Sequence, residues 1–255
     1  MRHPCFDADL SGTPTIVGRL MQASNATFLV ELDDDRQAIH KPVAGEKPLW
    51  DFPDATLGHR ELAAHDLSVA SGFDVVPRTV WIDEGPLGPG MLQAWVDTED
   101  EDELVDLLPV AEADQPGWLK IFTGLDAHEQ PVAVVHADDP RLRRLALFDV
   151  VINNADRKGG HVLLSQGTVF GVDHGLTFHV EPKLRTVLWG WAGRSFSTDE
   201  VTLLENTDRV AQECLQPWLT EAEIAATRER IADLLAAGHF PAPGRDWPTI
   251  PWPPF

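Results

Sequence analysis

The sequence has little cysteine, few basic residues and no long apolar run, and each shortage narrows the class of protein. Cys5 and Cys214 stand near opposite ends without a CxxC spacing, so neither a disulfide framework nor a thiolate zinc site is predicted. No stretch approaches the roughly 18 apolar residues that a membrane span needs. The first ten residues lack the apolar core of a secretion signal, and a cytoplasmic protein is therefore expected.

The net charge of the chain argues against two classes of binding partner. Twenty lysines and arginines face 41 acidic residues, which gives a net charge of −21. Such a surface repels the phosphates of nucleic acid and of anionic lipid, so neither partner is expected. With 255 residues, of which 43% are hydrophobic, the chain can bury a sizeable core as one large domain or as two lobes that share a cleft.

The first 97 residues are predicted to form an antiparallel sheet with one helix. Thr15–Leu32 contains two strand patterns separated by a small polar turn, and Gln37–Pro42 contains a third. Leu57–Gly72 has the apolar spacing of a helix and ends on glycine, which helix C-termini favour. Two further strands are predicted at Phe73–Ile82 and Met91–Val96, around a turn rich in glycine and proline.

Residues 98–255 are predicted to form a second, mainly helical lobe. The acidic run Thr98–Asp106 marks the boundary and is interpreted as a helix start, because acids favour the positive end of the helix dipole. Trp118–His136 is predicted to form a hairpin, and Asp139–Pro140 to open a helix. Two more helices are predicted at Thr198–Gln216 and Thr220–Ala237. Trp247 and Trp252 are expected to pin the proline-rich tail to the body.

One stretch, Leu147–Phe178, concentrates ionisable residues at the ends of apolar elements. It reads LFDVVINNADRKGGHVLLSQGTVFGVDHGLTF: a helix, a charged loop, and a predicted hairpin that turns at Gln166–Gly167. A hairpin directs the loop and the end of its second strand into one space, and this is how a site is built. The ionisable residues concerned are Asp156, Lys158, His161, Asp173 and His174.

These residues suit phosphoryl transfer. That reaction needs a cation on the nucleotide phosphates, metal held by oxygen ligands, and an acid that orients the attacking group. Lys41 on the third strand and Glu61 on the next helix can form the ion pair that fixes a phosphate-binding lysine. Asp156 lies on a loop where it can accept a proton, and Asp173 closes a strand where its carboxylate can hold Mg²⁺. Together, in this order, they predict a phosphotransfer site.

At these residues the sequence resembles a known group. NNADRKGGHVLL followed by GVDHG is similar to the catalytic and metal-binding loops of the phosphoinositide 3-/4-kinase-like branch of the protein-kinase-like fold. In that branch the first loop runs approximately N-x-D-R-H-x-x-N, and the later motif is a strand ending in D-x-G. Nearly the whole chain also resembles an actinobacterial protein family described by that kinase similarity. The resemblance implies a two-lobed α+β fold with ATP and Mg²⁺ or Mn²⁺ as cofactors.

The resemblance also implies roles for single residues. Lys41 would contact the phosphates with Glu61 as its helix partner. Asp156 would be the catalytic acid/base and Asp173 the metal ligand. Arg157 would support the loop.

Two further segments are implied to bind the nucleotide. Ala23–Thr27, with Ser24 and Asn25, takes the place of the phosphate loop, although it contains no glycine. Gln93–Val96, with Gln93 and Trp95, takes the place of the hinge whose backbone meets an adenine.

The pattern departs from the kinase group at two positions. His161 stands where a metal-binding asparagine is expected, and imidazole suits Zn²⁺ or Mn²⁺ better than Mg²⁺. Lys158 replaces the histidine that usually follows Asp-Arg. It is assigned to the catalytic set because it can neutralise charge on the transferred phosphoryl group, and the alternative is a lysine that simply reaches solvent.

Three hypotheses follow. The first is an ATP-dependent phosphotransferase that acts on a protein or small soluble acceptor. The second is a nucleotide-binding pseudokinase or regulatory module without turnover, favoured by His161 and the glycine-free loop. The third is a metal-dependent hydrolase that uses His136, Asp138, His161, Asp173 and His174.

Overall fold

A computed structural model of the chain describes residues 2–20, 25–33, 35–47, 49, 52, 57–98, 104–244 and 248–255. Over these residues the protein is a mixture of antiparallel sheets and four α-helices. None of the helices so described has both the length and the apolar character that crossing a bilayer requires.

A five-stranded antiparallel sheet and one helix dominate the first 97 residues, as predicted. The strand order is β1-β2-β3-β5-β4. One face of the sheet buries Val30, Ala38 and Leu92, which alternate with residues that face the other side. The elements are β1 (Thr15–Arg19), β2 (Phe28–Glu31), β3 (Gln37–Pro42), α1 (Leu57–Ser71), β4 (Thr79–Ile82) and β5 (Gly90–Ala94).

Both ends of α1 are fixed by local interactions. At its start, the Glu46 carboxylate accepts hydrogen bonds from the backbone N–H groups of Leu57 and Gly58, at 3.2 and 2.8 Å. These N–H groups have no partner within the helix, so the carboxylate satisfies them. Gly72 follows the helix with a φ of +83°, a left-handed conformation that glycine adopts without strain.

The second half of the chain carries two more sheets and three helices within the described residues. The predicted hairpins, the helix after Asp139 and the two late helices are confirmed. A three-stranded sheet has the order β6-β8-β7, and β9 pairs with β10. The elements are β6 (Val105–Pro109), β7 (Trp118–Leu125), β8 (Pro131–Ala137), α2 (Pro140–Val151), β9 (Val162–Ser165), β10 (Thr168–Gly171), α3 (Thr198–Leu215) and α4 (Glu221–Ala237).

The strand predicted at Phe73–Ile82 is wrong over its first half, because only Thr79–Ile82 pairs in the sheet. Asp74 has a φ of +48°, which interrupts an extended chain. Its N–H and that of Val75 bond back to Ser68 on α1, at 3.1 and 3.0 Å. Local bonds to the helix end therefore replace the ladder bonds of a strand.

The helix start predicted at Thr98–Asp106 is also wrong in its described part. Residues 99–103 lie outside the described residues, and Val105 begins β6, which pairs with Val132–His136 of β8. Burial of Val105 against the second half's core outweighs the helical preference of the acidic run. The strand β6 therefore adds sheet to residues 98–255 beyond the two hairpins that were predicted there.

The largest hydrophobic cluster surrounds α2. Leu145, Leu147 and Phe148 are fully buried in it, beside Trp191 of the segment before α3. Leu164 on β9 and Val169 on β10 join the same cluster. The core therefore fixes α2 relative to the hairpin, and the loop between them is held at both ends.

Backbone groups attach the described part of the proline-rich tail to the body, and Trp252 does not pin it as predicted. Trp247 lies outside the described residues, and the Trp252 side chain is 80% exposed. Instead, the Thr249 carbonyl accepts from Thr186 N–H at 3.0 Å and from the Trp189 indole N–H at 2.8 Å. Extended, proline-rich backbone leaves its carbonyls unpaired within the segment, so they are available to the body.

The capping box at Ser197 predicts a measurable part of the stability. Ser197 Oγ accepts the Glu200 N–H at 3.2 Å, and the Glu200 carboxylate accepts the Ser197 N–H at 2.7 Å. We expect Ser197→Ala to lower the free energy of unfolding by about 1 kcal/mol, and Ser197→Gly by only a few tenths. Urea denaturation of both variants measures this difference, and an alanine variant as stable as the wild type contradicts it.

Candidate active site

Lys41 joins three elements at the centre of the site. Its Nζ lies 2.6 Å from Glu61 Oε1 on α1 and 2.7 Å from Asp173 Oδ1, just beyond β10. The structure thus brings together three residues that the sequence selected from positions up to 132 residues apart. Strand, helix and hairpin end converge on one ammonium group.

The charges of these three groups stabilise one another. Burial alone would lower the pKa of Lys41, but the carboxylates of Asp173 and Glu61 outweigh it and hold this pKa above its ordinary value. Burial would likewise raise the pKa of Asp173, yet the Lys41 charge holds it well below the ordinary range. Lysine and aspartate are therefore both charged at neutral pH.

The loop after α2 places Asp156 near this centre. Asn154 connects the loop to the helix: its Nδ2 donates to Asp149 Oδ1 at 2.8 Å, and its Oδ1 accepts the Asp156 N–H at 3.0 Å. Burial raises the pKa of Asp156, although Lys158, with Nζ 3.5 Å from Asp156 Oδ2, opposes the rise. A carboxylate with a raised pKa is suited to accept a proton.

Arg157 is completely buried and supports the loop after α2 from the interior of the protein. Its guanidinium donates two hydrogen bonds to the Asp149 carboxylate, at 2.8 and 2.9 Å. It also donates to the carbonyls of His161, at 3.1 Å, and Val172, at 2.8 Å. One side chain therefore ties α2, the loop and the end of β10 together, as the resemblance implies.

His174 connects Arg157 with the Lys41 centre, a role that the sequence reasoning missed. Arg157 Nη2 donates to His174 Nε2 at 2.8 Å, and the His174 backbone N–H donates to Glu61 Oε2 at 2.9 Å. Burial and the Arg157 charge hold the pKa of His174 well below its ordinary value, so the ring is neutral. Asp149, an acid within the apolar last turn of α2, was the missed sequence signal for this buried network.

His161 lies between the two acids. Its Nδ1–H donates to the Asp156 carbonyl at 3.1 Å, and its Nε2 is 3.5 Å from Asp173 Oδ2. Burial lowers the pKa of His161 to about 4, against the attraction of Asp173, so the ring is neutral at pH 7. A neutral ring that donates from Nδ1 has a lone pair on Nε2. Two acceptors therefore face each other, an arrangement that fits a cation.

Protein ligands alone do not complete a metal centre here. Across the described parts of the chain, no group of three or more His, Cys, Asp and Glu side chains is arranged to hold a metal. Asp173 and His161 would supply two ligands. Mg²⁺ is commonly held by one or two carboxylates together with substrate phosphates, so a bound phosphate chain would supply the remaining ligands.

A small open cleft lies beside Lys41. It runs between the β1–β2 connection, the start of α1 and the hairpin end. Asn25 of the predicted phosphate loop lines it, whereas Ser24 lies outside the described residues. The other lining residues are Ala26, Lys41, Pro42, Glu46, Leu57, Gly58, Glu61, Asp173 and Gly175.

Gln93 and Trp95 do not line this cleft. The Gln93 side chain is buried and donates to Thr79 Oγ1 at 2.8 Å. The Trp95 indole donates to Asp97 at 2.9 Å, and its backbone N–H bonds to the Gln37 carbonyl at 3.3 Å. The end of β5 thus uses these donors within the protein.

His136 and Asp138 belong to a different part of the molecule. His136 Nδ1 donates to the Ala137 carbonyl at 2.9 Å, and its Nε2 accepts from Gly190 N–H at 3.0 Å. Asp138 accepts from the Trp191 indole at 2.7 Å. These contacts fix the segment before α3 against β8, and the hydrolase hypothesis loses two of its five ligands.

Comparison with known proteins finds a similarity that covers nearly the whole chain. The chain is 48% identical over 262 residues to Protein Rv2133c of Mycobacterium tuberculosis, covering 96% of this chain and 93% of the relative. No family model matches the chain.

Removal of Arg157 tests the buried network. Because Arg157→Met leaves the Asp149 carboxylate buried without its partner, we expect it to lower the free energy of unfolding by about 3–5 kcal/mol. The double variant Arg157→Met/Asp149→Leu removes that uncompensated charge and should regain part of the loss. Urea denaturation compares the two, and a double variant as unstable as the single one would contradict the assignment.

Proposed function

We propose that this chain, which belongs to the protein family of Mycobacterium tuberculosis Protein Rv2133c, is an ATP-dependent phosphotransferase acting on a protein or small soluble acceptor. One observation carries the proposal. Lys41 is bound by Glu61 on a helix and by Asp173 at a hairpin end, beside an open cleft. A lysine fixed in this way is a cation positioned for phosphate, next to a carboxylate positioned for a metal.

The arrangement of the elements supports a two-lobed, protein-kinase-like fold as part of this proposal. The five-stranded sheet supplies Lys41, and the helix of the same half supplies Glu61. The loop after α2 and the end of β10 supply Asp156 and Asp173 from the second half. We propose residues 1–97 and 98–255 as the two lobes, with the cleft between them.

Each residue then has a defined task. Lys41 binds the phosphate chain, and Asp173 with His161 would hold Mg²⁺ or Mn²⁺, which neutralises charge on the β- and γ-phosphates when bound. Asp156 accepts the proton of the acceptor hydroxyl. The oxygen of that hydroxyl forms a bond to the γ-phosphorus while the bond between the γ-phosphorus and the ADP oxygen breaks. Lys158, beside Asp156, neutralises the transferred group.

A pseudokinase is the second candidate. His161 replaces an asparagine ligand, and the Lys41 ammonium is bound directly by Asp173, the proposed metal ligand. A lysine neutralised by two carboxylates can still bind a nucleotide without turning it over. ATP-induced thermal stabilisation in the absence of any turnover would favour this candidate.

Substitution of Asp156 or of Asp173 should reduce turnover without abolishing the fold. We expect Asp156→Asn to reduce the rate of phosphoryl transfer by about 10²- to 10⁴-fold, because proton transfer contributes on that order. Asp173→Ala should reduce turnover and ATP-induced thermal stabilisation together. Asp233→Asn, an exposed acid on α4, is the matched control. The measurement is transfer from labelled ATP to protein in lysate or to the chain itself. Unchanged activity in Asp173→Ala would refute the role assignment.

The residue at position 161 should set the metal preference. Imidazole favours Mn²⁺ over Mg²⁺, whereas an amide oxygen suits Mg²⁺. We therefore expect His161→Asn to increase the ratio of Mg²⁺- to Mn²⁺-supported turnover, with His161→Ala reducing both. Titration of each metal at fixed ATP measures the ratio, and an identical ratio in wild type and His161→Asn contradicts a role at the metal.

A further inference from the structure

The segment before β1 lies against the end of β5 and the β9–β10 hairpin. Pro4–Phe6 forms a 3₁₀ turn, and the Phe6 ring is buried against Val96 and Phe170, with its centroid 4.9 Å from that of Phe170. Leu163 packs against the same cluster. An aromatic ring is thereby enclosed by apolar side chains from both halves of the chain.

Polar contacts fix this segment to the same two elements. The Cys5 thiol donates to the Trp95 carbonyl at 3.4 Å, and the Cys5 carbonyl accepts from Arg78 N–H at 2.9 Å. On the other side, His3 Nε2 lies 3.3 Å from Ser165 Oγ on β9. The segment therefore bridges the β5 end and the hairpin.

Its position matches the far end of a nucleotide bound at Lys41. On β3, Lys41 pairs with Met91, and four residues away the Gln37 carbonyl accepts from Trp95 N–H. At the strand rise per residue this places the β5 end roughly 13 Å from Lys41. That separation is comparable with the distance from the base to the distal phosphates of an extended nucleotide. The cleft lies at the Lys41 end, and at the β5 end the Phe6 ring packs between Val96 and Phe170.

We propose that His3–Phe6 is an internal plug that occupies the base half of the nucleotide site and must leave before ATP binds with its adenine in the cleft. The inference rests on the proposed function. Phe6 takes the place of the base between apolar surfaces, and the Cys5 thiol takes the hydrogen bond to the Trp95 carbonyl that an adenine amino group would make. The plug lowers the apparent affinity for ATP by the fraction of molecules in which the site is open.

Loosening the plug tests the inference through binding. We expect Phe6→Ala to tighten ATP binding by at least about tenfold, because the open fraction rises. Inorganic tripolyphosphate uses only the Lys41 end, so its affinity should not change. Phe196→Ala removes a different partly buried aromatic, which packs on Phe240, and should leave both affinities unchanged. Calorimetric titration in the presence of Mg²⁺ measures the affinity of the wild type, Phe6→Ala and Phe196→Ala for each ligand.

ATP and tripolyphosphate distinguish a failure of the plug from a failure of the proposed function. If tripolyphosphate binds but Phe6→Ala does not tighten ATP binding, the plug is wrong and the phosphate site stands. If neither ligand binds any of the proteins, the proposed function fails, and the plug fails with it.

A second experiment uses no change to the plug itself. In Cys214→Ser, Cys5 is the one remaining thiol. We expect saturating ATP to accelerate its labelling by a maleimide several-fold, because the displaced segment exposes Cys5, whereas tripolyphosphate should leave the rate unchanged. Labelling that ATP slows, or leaves unchanged at saturation, overturns the plug.

Discussion

The buried ion pair of Arg157 and Asp149 is the constraint on which the site depends. Neither side chain is exposed, and an uncompensated charge there would be costly, so the pair must form wherever the protein folds. Because Asp149 is on α2, inside the main core, the pair transfers the rigidity of that core to the loop. The remaining donors of Arg157 then fix two carbonyls on either side of the hairpin.

The same network reaches the Lys41 centre without any flexible link. Arg157 fixes His174, the His174 backbone fixes Glu61, and Glu61 fixes Lys41. Each step is a short contact of a buried or partly buried group. A charge pair on α2 and its loop therefore helps to fix the position of a lysine on β3, which explains how residues from distant parts of the sequence share one geometry.

Much of the fold and part of the candidate site were predictable from the sequence, and each feature that was missed has a physical explanation. The strands, α1, the hairpins and the capped helices follow local patterns, and the Lys41–Glu61 pair followed from their order. The strand at Val105 was missed because pairing with β8 outweighs local charge. Asp74 bends the chain after α1 through bonds to Ser68, which no periodicity reveals. The roles of Asp149 and His174 depend on burial, which single-sequence patterns do not resolve.

The loop that carries Asp156 and the segment at Phe6 are held by interactions of different strength, and this difference bears on the proposed function. The loop carrying Asp156 is fixed by a fully buried ion pair, so it cannot move without great cost. The segment at Phe6 is attached by one small apolar cluster and a few hydrogen bonds, including the weak donor Cys5. Elements that move when ligands bind are drawn from the regions of low local stability. Under the proposed function, this division keeps the residues of the Lys41 centre rigid and confines any change of access to the end where the base would lie.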